Sequence, residues 1–197
     1  MMDILHLKEK PMTREEKKKA NQQRMIDAAV HLFSKKPFTD VSMRDIAKYA
    51  EVSPALIYKY FDDQQHLYME AIKVEGQKLI GKLTPFHQLS ELVEQYICYM
   101  FKDEVLFQMM VYFMLEANER RPTIPIHNEI AGLMKLFESA LKPLFPVDTR
   151  REAQLLFSTL NGLLITYKNY STLTTEQALH RINSLSKLYI SHLQTTN

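Results

Sequence analysis

Residues 42–61 constrain the fold more than any other stretch, because they hold start signals for two short helices separated by a tight turn. Ser42 is placed to cap the amide of Asp45, and Asp45 is placed to reach back to Ser42, which predicts the start of the first helix. Ser53 followed by Pro54 predicts the second start at residue 54, since a serine N-cap binds free amides and proline has no amide to leave unpaired. The segment therefore predicts a helix-turn-helix.

The two helices have distinguishable faces. In the first, Ile46, Ala47 and Ala50 share one side at helical spacing, and Ala47 is small where the second helix must cross. Val52 is expected to fill the turn. In the second helix four apolar or aromatic residues are expected to face the core: Leu56, Ile57, Tyr60 and Phe61. The outward set is then Pro54 at the leading end with Ala55, Tyr58 and Lys59. An exposed set at this place favours reading of a DNA groove, whereas the alternative is an ordinary helical hairpin without a nucleic-acid partner.

The aromatic ending Tyr58-Lys59-Tyr60-Phe61 after this helix pair resembles the TetR family of transcriptional regulators. The resemblance lies in motifs over about residues 18–72 and in length, helical pattern and layout over the remainder. It implies an all-α fold, with an N-terminal three-helix helix-turn-helix domain followed by a larger helical ligand-binding and dimerisation domain. It also implies phosphate contacts from Ser42, Tyr58 and Tyr60. Contacts to base edges or the adjoining backbone are implied for Arg44, Ser53, Pro54, Ala55 and Lys59.

Two positions depart from the family pattern. Glu51 stands where the family usually has Gly, and a left-handed backbone is costly for Glu, so a slightly remodelled turn is expected. Gln64 stands where many relatives have a phosphate-binding Lys, and its amide is expected to donate a hydrogen bond to DNA instead. Asp62 or Asp63 is expected to cap the helix that starts there.

Charge divides the chain unevenly. Residues 1–61 hold 12 Lys and Arg against 8 Asp and Glu, a net +4, so the remainder of a chain of net charge +2 carries −2. Much of the positive charge lies before and within the first helix, in Arg14, Lys17, Lys18, Lys19 and Arg24. These side chains are placed to contact phosphates, although a charge run is more often only a solvated helix face. The expected domains are a flexible arm at 1–12, a helix-turn-helix domain at 13–62 and a helical domain at 63–197.

Helical periodicity continues to the C-terminus. A helix is predicted from about 63 to 82, ending at Thr84-Pro85, and it links the two domains. Further helices are predicted at 87–101, 104–118 and 126–142, with a Pro-containing loop at 121–125.

The last two predicted helices carry apolar stripes. The stripes are Leu156, Leu160, Leu163 and Tyr167, then Ala178, Ile182, Leu185 and Tyr189. Gly162 permits a close helix crossing, and Thr174 with Gln177 predicts a capping box. The stripes either complete the monomer's core or, as the resemblance implies, form a homodimer interface. A two-fold dimer places two recognition helices about 34 Å apart and predicts a pseudo-palindromic operator.

The middle of the chain is rich in Phe, Tyr and Met, which suit an adaptable apolar pocket as well as an ordinary core. The resemblance favours a pocket for a hydrophobic or amphipathic small-molecule inducer. Its expected lining is Tyr96, Met100, Phe107, Met110, Phe113, Met114 and Phe137, with Asn161 and Tyr167 as orienting polar groups. Either polar group is equally suited to satisfying a buried backbone group.

Other chemistry has little support. The seven His residues form no metal-binding spacing, and no Gly-rich phosphate loop or nucleophile elbow is present, so we expect no metal, no cofactor and no enzymatic activity. The single Cys98 and the lack of a signal peptide or apolar span predict a soluble cytoplasmic protein without a membrane partner. The sequence thus predicts a DNA-binding regulator, expected to be a repressor. The alternative is a helical partner-binding or scaffold protein without specific DNA affinity.

Overall fold

The computed structural model describes the backbone of residues 12–116, 127–169 and 171–195, and side chains within 12–111, 130–169 and 171–195. Within those ranges the chain is all-helical. The helices are α1 (Arg14–Phe33), α2 (Met43–Tyr49), α3 (Pro54–Ile57), α4 (Gln64–Leu83), α5 (Leu89–Lys102), α6 (Glu104–Glu116), α7 (His127–Leu141), α8 (Thr149–Tyr167) and α9 (Thr175–Thr195), with a 3-10 turn at Phe38–Asp40. The predicted fold class is confirmed. Except for Met12, the expected arm lies outside the described residues, as does the loop at 121–125.

The predicted helix starts are confirmed by their capping hydrogen bonds. Ser42 and Asp45 form a complete capping box at α2. The hydroxyl of Ser53 accepts from the Leu56 amide at 3.2 Å, and Pro54 occupies the first position of α3. Asp63, rather than Asp62, caps α4. Thr174 and Gln177 form the predicted box before α9.

The recognition helix α3 is shorter than predicted. It ends at Ile57, and the chain continues through Tyr58 to Phe61 in successive turns closed by bonds from the Lys59 amide to the Leu56 carbonyl and from the Phe61 amide to the Ile57 carbonyl. Phe61 is still 1% exposed, because these tight turns bring it back over the core. Although the helix ends early, Ile57 and Phe61 are buried and Tyr58 and Lys59 are exposed, as predicted.

The N-terminal core joins α1 to α4. Its buried side chains include Met25, Ile26, Ala29, Phe33, Ile46, Ala47, Ile57, Phe61, Leu67 and Ala71. Met109 of α6 also belongs to this core. A helix of the body, the name used here for α5–α9, therefore packs against the N-terminal helices. Leu79 and Leu83, at the other end of α4, belong to the second core. A single helix thus runs through both.

The second core buries the first half of each predicted stripe of α8 and α9, and Leu163, Tyr167 and Tyr189 pack against it half-buried. Leu156, Leu160, Ala178 and Ile182 are at most 1% exposed, so these residues complete the monomer's core and do not present an interface. The surface of the same helices is formed by other residues. Leu155, Ile165 and Leu188 are 54%, 40% and 52% exposed. A methyl group added at Gly162 would meet no atom within 4 Å, so the predicted close crossing does not occur within one chain.

Candidate nucleic-acid interface

The turn between α2 and α3 depends on Glu51. This residue has φ of 55°, the left-handed conformation that favours glycine. The amide of Val52 donates to the Ala47 carbonyl at 2.9 Å, which closes the turn. The expected remodelling is therefore not observed: Glu51 adopts the strained conformation itself.

Arg24 holds the same turn from outside. Its guanidinium donates to the Ala50 carbonyl at 2.7 Å and lies 3.8 Å from the Glu51 carboxylate. Sequence reasoning placed Arg24 among the phosphate-contacting cations, but here it binds the C-terminal end of α2. Nothing in the local pattern distinguished it from its basic neighbours, because the partner is 26 residues away.

The outward surface of the helix pair matches the predicted set. Arg44, Pro54, Ala55, Tyr58 and Lys59 are all exposed, and Tyr58 shows 55% of its surface. Ser42 and Ser53 are also exposed, although both hydroxyls already act as N-caps. Tyr60 is half-buried beside Phe61.

Gln64 is placed differently from its expected role. Its side-chain amide donates to the Phe38 carbonyl at 2.7 Å, which joins the start of α4 to the 3-10 turn. The backbone of Gln64 still forms the first turn of α4, capped by Asp63. The side-chain amide of Gln64, which was expected to donate to DNA, therefore already donates one hydrogen bond within the chain.

The start of α1 carries a group of exposed, positively charged side chains. Arg14, Lys17, Lys18 and Lys19 are exposed, and none forms an ion pair with another described residue. The neighbouring Glu16 instead closes the capping box with Thr13, whose backbone amide, with its hydroxyl, holds the pKa of that carboxyl below its ordinary value. Unpaired cations on one helix end favour contact with a polyanion.

Three of the expected ligand residues are in contact inside the body: Tyr96, Phe137 and Asn161. The Tyr96 hydroxyl donates to Oδ1 of Asn161 at 2.5 Å, and Phe137 packs edge-on to the Tyr96 ring with centroids 5.5 Å apart. Burial raises the pKa of Tyr96, so the phenol stays neutral. The Nδ2 group of Asn161 is buried and has no hydrogen-bond partner.

Met100 and Phe107 surround a cation that sequence reasoning missed. The Lys168 ammonium donates to the Met100 carbonyl at 3.2 Å, lies 3.0 Å from the Glu104 carboxylate and 4.2 Å from the centre of the Phe107 ring. Its side chain is only 6% exposed. The sequence carried no signal for it, because a lysine at the end of α8 looks like any solvated helix end.

Of the remaining expected ligand residues, the structure describes the side chains of Met110 and Tyr167. Met110 is half-buried. Tyr167 lines an open groove with residues of α9, where the Arg181 guanidinium lies 5.9 Å from its ring centre. Phe113 and Met114 lie outside the residues whose side chains are described.

Two kinds of site are not found in the described ranges. Among the residues described there, no group of three or more His, Cys, Asp or Glu side chains is placed to hold a metal ion. No described helix combines the length and apolarity needed to span a bilayer.

Two short helices joined by a closed turn, the second with an exposed outer surface, define a helix-turn-helix protein. Residues 25–71 match the family model described as bacterial regulatory proteins, tetR family. The helix-turn-helix region of the chain is therefore similar to that of the TetR family of transcriptional regulators.

Similar proteins agree with this assignment. The transcriptional repressor KstR of Mycolicibacterium smegmatis is 28% identical over 86 residues, which cover 40% of this chain and 42% of that repressor. The chain thus spans less than half the length of the curated relatives it matches. Structural likeness extends further. A TetR-family regulator from Streptomyces coelicolor has a TM-score of 0.69 at 14% identity over 91% of this chain and 84% of that one. The regulator FadR from Bacillus subtilis, solved with stearoyl-CoA, has a TM-score of 0.65 at 18% identity over 84% of this chain and 96% of its own.

Proposed function

We propose that this protein is a transcriptional repressor that binds a pseudo-palindromic operator as a homodimer and is released by a hydrophobic or amphipathic small molecule. The observation that carries the proposal is the exposed set of Ala55, Tyr58 and Lys59 after the closed turn, and the start of α1 adds exposed cations that form no ion pair with a described residue. A polar and cationic surface at the end of a recognition helix suits base edges and phosphates together.

The proposed DNA contacts are of two kinds: contacts to base edges or the adjoining backbone, and contacts to phosphate. Lys59 and Arg44 supply charged donors for base edges or the adjoining backbone, while the small Pro54 and Ala55 let the start of α3 enter the groove. The phenol of Tyr58 is placed to bind phosphate. Because the side chain of Gln64 is held by Phe38, we assign its contribution to the backbone amides of the first turn of α4.

The dimer interface is assigned to the outer faces of α8 and α9. Leu155, Ile165 and Leu188 are large apolar side chains left exposed on these helices, and Gly162 leaves room for a close approach. Covering them with a second copy removes apolar surface from water and permits a close helix crossing. The same two-fold axis sets the spacing of the two recognition helices.

The inducer site is assigned to the body around Tyr96 and Asn161. The unpaired Nδ2 of Asn161 is a donor without an acceptor in an otherwise apolar region, so a ligand that carries a carbonyl or ether oxygen supplies the missing bond. FadR from Bacillus subtilis was solved with stearoyl-CoA, an amphipathic molecule, which supports a ligand of that general character here.

Release follows from differential affinity. A ligand that binds better to a conformation in which the recognition helices no longer match adjacent grooves shifts the population to that conformation. The shift travels through α4, which packs in both cores, and operator must weaken ligand binding by the same factor.

The test is fluorescence anisotropy on DNA fragments from around the protein's own coding region, at several salt concentrations and with unrelated competitor DNA. We expect competitor-resistant binding that weakens steeply with salt. Lys59→Ala and Tyr58→Ala are each expected to weaken binding by roughly tenfold or more without changing the oligomeric state. Lys142→Ala removes an exposed lysine of the body and serves as the matched control.

Three results would each contradict a part of the proposal. Full operator affinity in both variants would refute the assignment of the reading face. Failure to select any specific sequence from the whole genome would favour the alternative of a partner-binding helical protein. Equal ligand affinity with and without operator, measured by calorimetry, would refute the coupling.

A further inference from the structure

A groove of about 340 Å³ lies where the N-terminal unit meets the body. Its walls come from the end of α1 and the 3-10 turn on one side and from α6 on the other, with Tyr68 of α4 between them. Phe38 and Tyr68 form an aromatic floor with ring centres 4.9 Å apart, continued by Met109 and Val111. The volume lies in the range of pockets that hold small organic molecules.

Most polar side chains around this junction groove already have partners within the chain. The Ser34 hydroxyl donates to the His31 carbonyl at 2.6 Å, and the Gln108 amide donates to Glu104 at 2.7 Å. The Tyr68 hydroxyl donates to the Met109 carbonyl at 3.1 Å, and the Thr39 hydroxyl donates to Asp40 at 3.2 Å. A ligand therefore meets few competing neutral donors or acceptors.

Lys35 and Lys36 are different. Both line the junction groove and are exposed, and neither ammonium forms an ion pair with a described residue. Their backbone amides both donate to the Leu32 carbonyl at the end of α1, at 3.1 Å each. This carbonyl oxygen is therefore already hydrogen-bonded within the chain.

No described carboxylate forms an ion pair with either lysine. Glu104 is bound by Lys168 at 3.0 Å, and Asp40 accepts from Thr39. Asp45 is bound by the hydroxyl and amide of Ser42, although its charge still interacts with that of Lys36 over a longer distance. Two adjacent cations above an aromatic floor thus remain for an anion with an apolar body.

We propose that the junction groove is a second ligand site, which binds a small organic carboxylate between Lys35 and Lys36 with its aromatic or alkyl body against Phe38 and Tyr68. This site is separate from the inducer site proposed around Tyr96. It contacts α1, α4 and α6 together, so an occupant touches both the N-terminal unit and the body. The Phe38 carbonyl also accepts from the side chain of Gln64, the first residue of α4. A ligand that packs on Phe38 is therefore connected to the start of α4 through one hydrogen bond.

The chain has no Trp, so a single introduced tryptophan reports on its own surroundings. Phe38→Trp places the reporter in the junction groove, and Phe157→Trp places a matched reporter beside Tyr96 in the body, 6.2 Å from that ring. Each free protein, without DNA, is titrated with 3-phenylpropionate and with the neutral 3-phenylpropionamide of the same shape. Calorimetry on the unsubstituted chain repeats both titrations without any change to the aromatic cluster.

We expect saturable binding of 3-phenylpropionate near millimolar concentration, since a ligand of this size has few atoms to contact the protein. The amide is expected to bind about tenfold more weakly. The emission of the tryptophan at position 38 should follow binding, and the emission of the tryptophan at position 157 should not. Lys35→Gln with Lys36→Gln should remove the preference for the acid, whereas Lys142→Gln with Lys187→Gln, two exposed lysines of the body, should keep it.

Several results would overturn this assignment. Equal affinity for acid and amide would remove the role of the lysines, and so would an unchanged preference in the Lys35 and Lys36 double variant. A response of the tryptophan at position 157 alone would move the ligand to the body. Absence of saturable heat with the unsubstituted chain up to about ten times the expected dissociation constant would exclude the site. None of these results bears on operator binding, which is measured separately.

Discussion

Glu51 is the residue at which backbone geometry and side-chain identity disagree. Its left-handed conformation costs a non-glycine residue about 1–2 kcal/mol. The side chain is 87% exposed, and its 3.8 Å ion pair with Arg24 is weak compensation at such exposure. The conformation is maintained by the Ala47–Val52 hydrogen bond and by the clamp of Arg24 on the Ala50 carbonyl.

Glu51→Gly is therefore expected to stabilise the protein. Relief of the left-handed strain outweighs the added freedom of glycine in the unfolded chain, so the free energy of unfolding should rise by about 0.5–1 kcal/mol in urea denaturation. Glu51→Ala is the control, because it removes the carboxylate but keeps a Cβ. If Glu51→Ala stabilised the protein as much as Glu51→Gly, the effect would come from charge and not from backbone strain.

At the scale of elements, α5 and α8 are joined by a polar pair in an apolar core. The Tyr96 hydroxyl and Asn161 Oδ1 satisfy each other, while Asn161 Nδ2 has no partner. Removing the Tyr96 hydroxyl leaves Oδ1 of Asn161 unsatisfied in addition to Nδ2, which costs about 1–3 kcal/mol, whereas removing Asn161 leaves the Tyr96 hydroxyl unsatisfied but takes the unpaired Nδ2 away. Replacing both members by apolar groups removes the unsatisfied atoms together.

This arrangement predicts strong coupling in a double-mutant cycle. Tyr96→Phe should lower the free energy of unfolding by about 1–3 kcal/mol, Asn161→Leu should lower it by less, and the double variant should lose clearly less than the sum. Urea denaturation of the four proteins gives the coupling directly. Simple additivity would mean that the pair does not act as a unit in the folded protein.

At the scale of the whole molecule, two cores share their helices. Leu67 and Ala71 of α4 pack in the first core, and Leu79 and Leu83 in the second. From α6, Met109 enters the N-terminal core, and its carbonyl accepts from Tyr68. Two helices, α4 and α6, therefore connect the second core to the packing beneath the helix-turn-helix.

The proposed dimer is tested by changes on the outer faces of α8 and α9. Leu155→Glu and Leu188→Glu place a charge in the proposed interface and should give monomers in sedimentation velocity, with a large loss of operator affinity. Val147→Glu alters a residue that is 91% exposed outside these helices and should leave the dimer intact. A dimer that survives both leucine changes would place the interface elsewhere.

Gly162 gives an independent test of the same interface. Gly162→Ala meets no atom within 4 Å in one chain, so the monomer should tolerate it. If the helices of two copies cross closely at this point, the same change should weaken dimerisation. A concentration series in the sedimentation experiment separates the two effects.

Much of the fold follows from local signals. Ser42, Ser53 and Thr174 cap the helices they were predicted to cap, because capping depends on residues within three positions of each other. The exposure of Tyr58 and Lys59 was predicted from the spacing of the apolar residues in this segment. Which stripe of α8 and α9 is buried was left open, since periodicity marks an apolar face without naming its partner.

The sequence by itself determined where the capped helices start and which residues the helix pair turns outward, because those features depend on neighbours along the chain. Only the tertiary structure decided that Arg24 binds Ala50 and that Gln64 binds Phe38, pairs separated by 26 residues each. It also decided that Lys168 is buried beside Phe107 and that Lys35 and Lys36 border a groove with α6. The physical reason is that a charge or an amide takes the partner that folding brings within hydrogen-bond distance, and sequence spacing does not contain that distance.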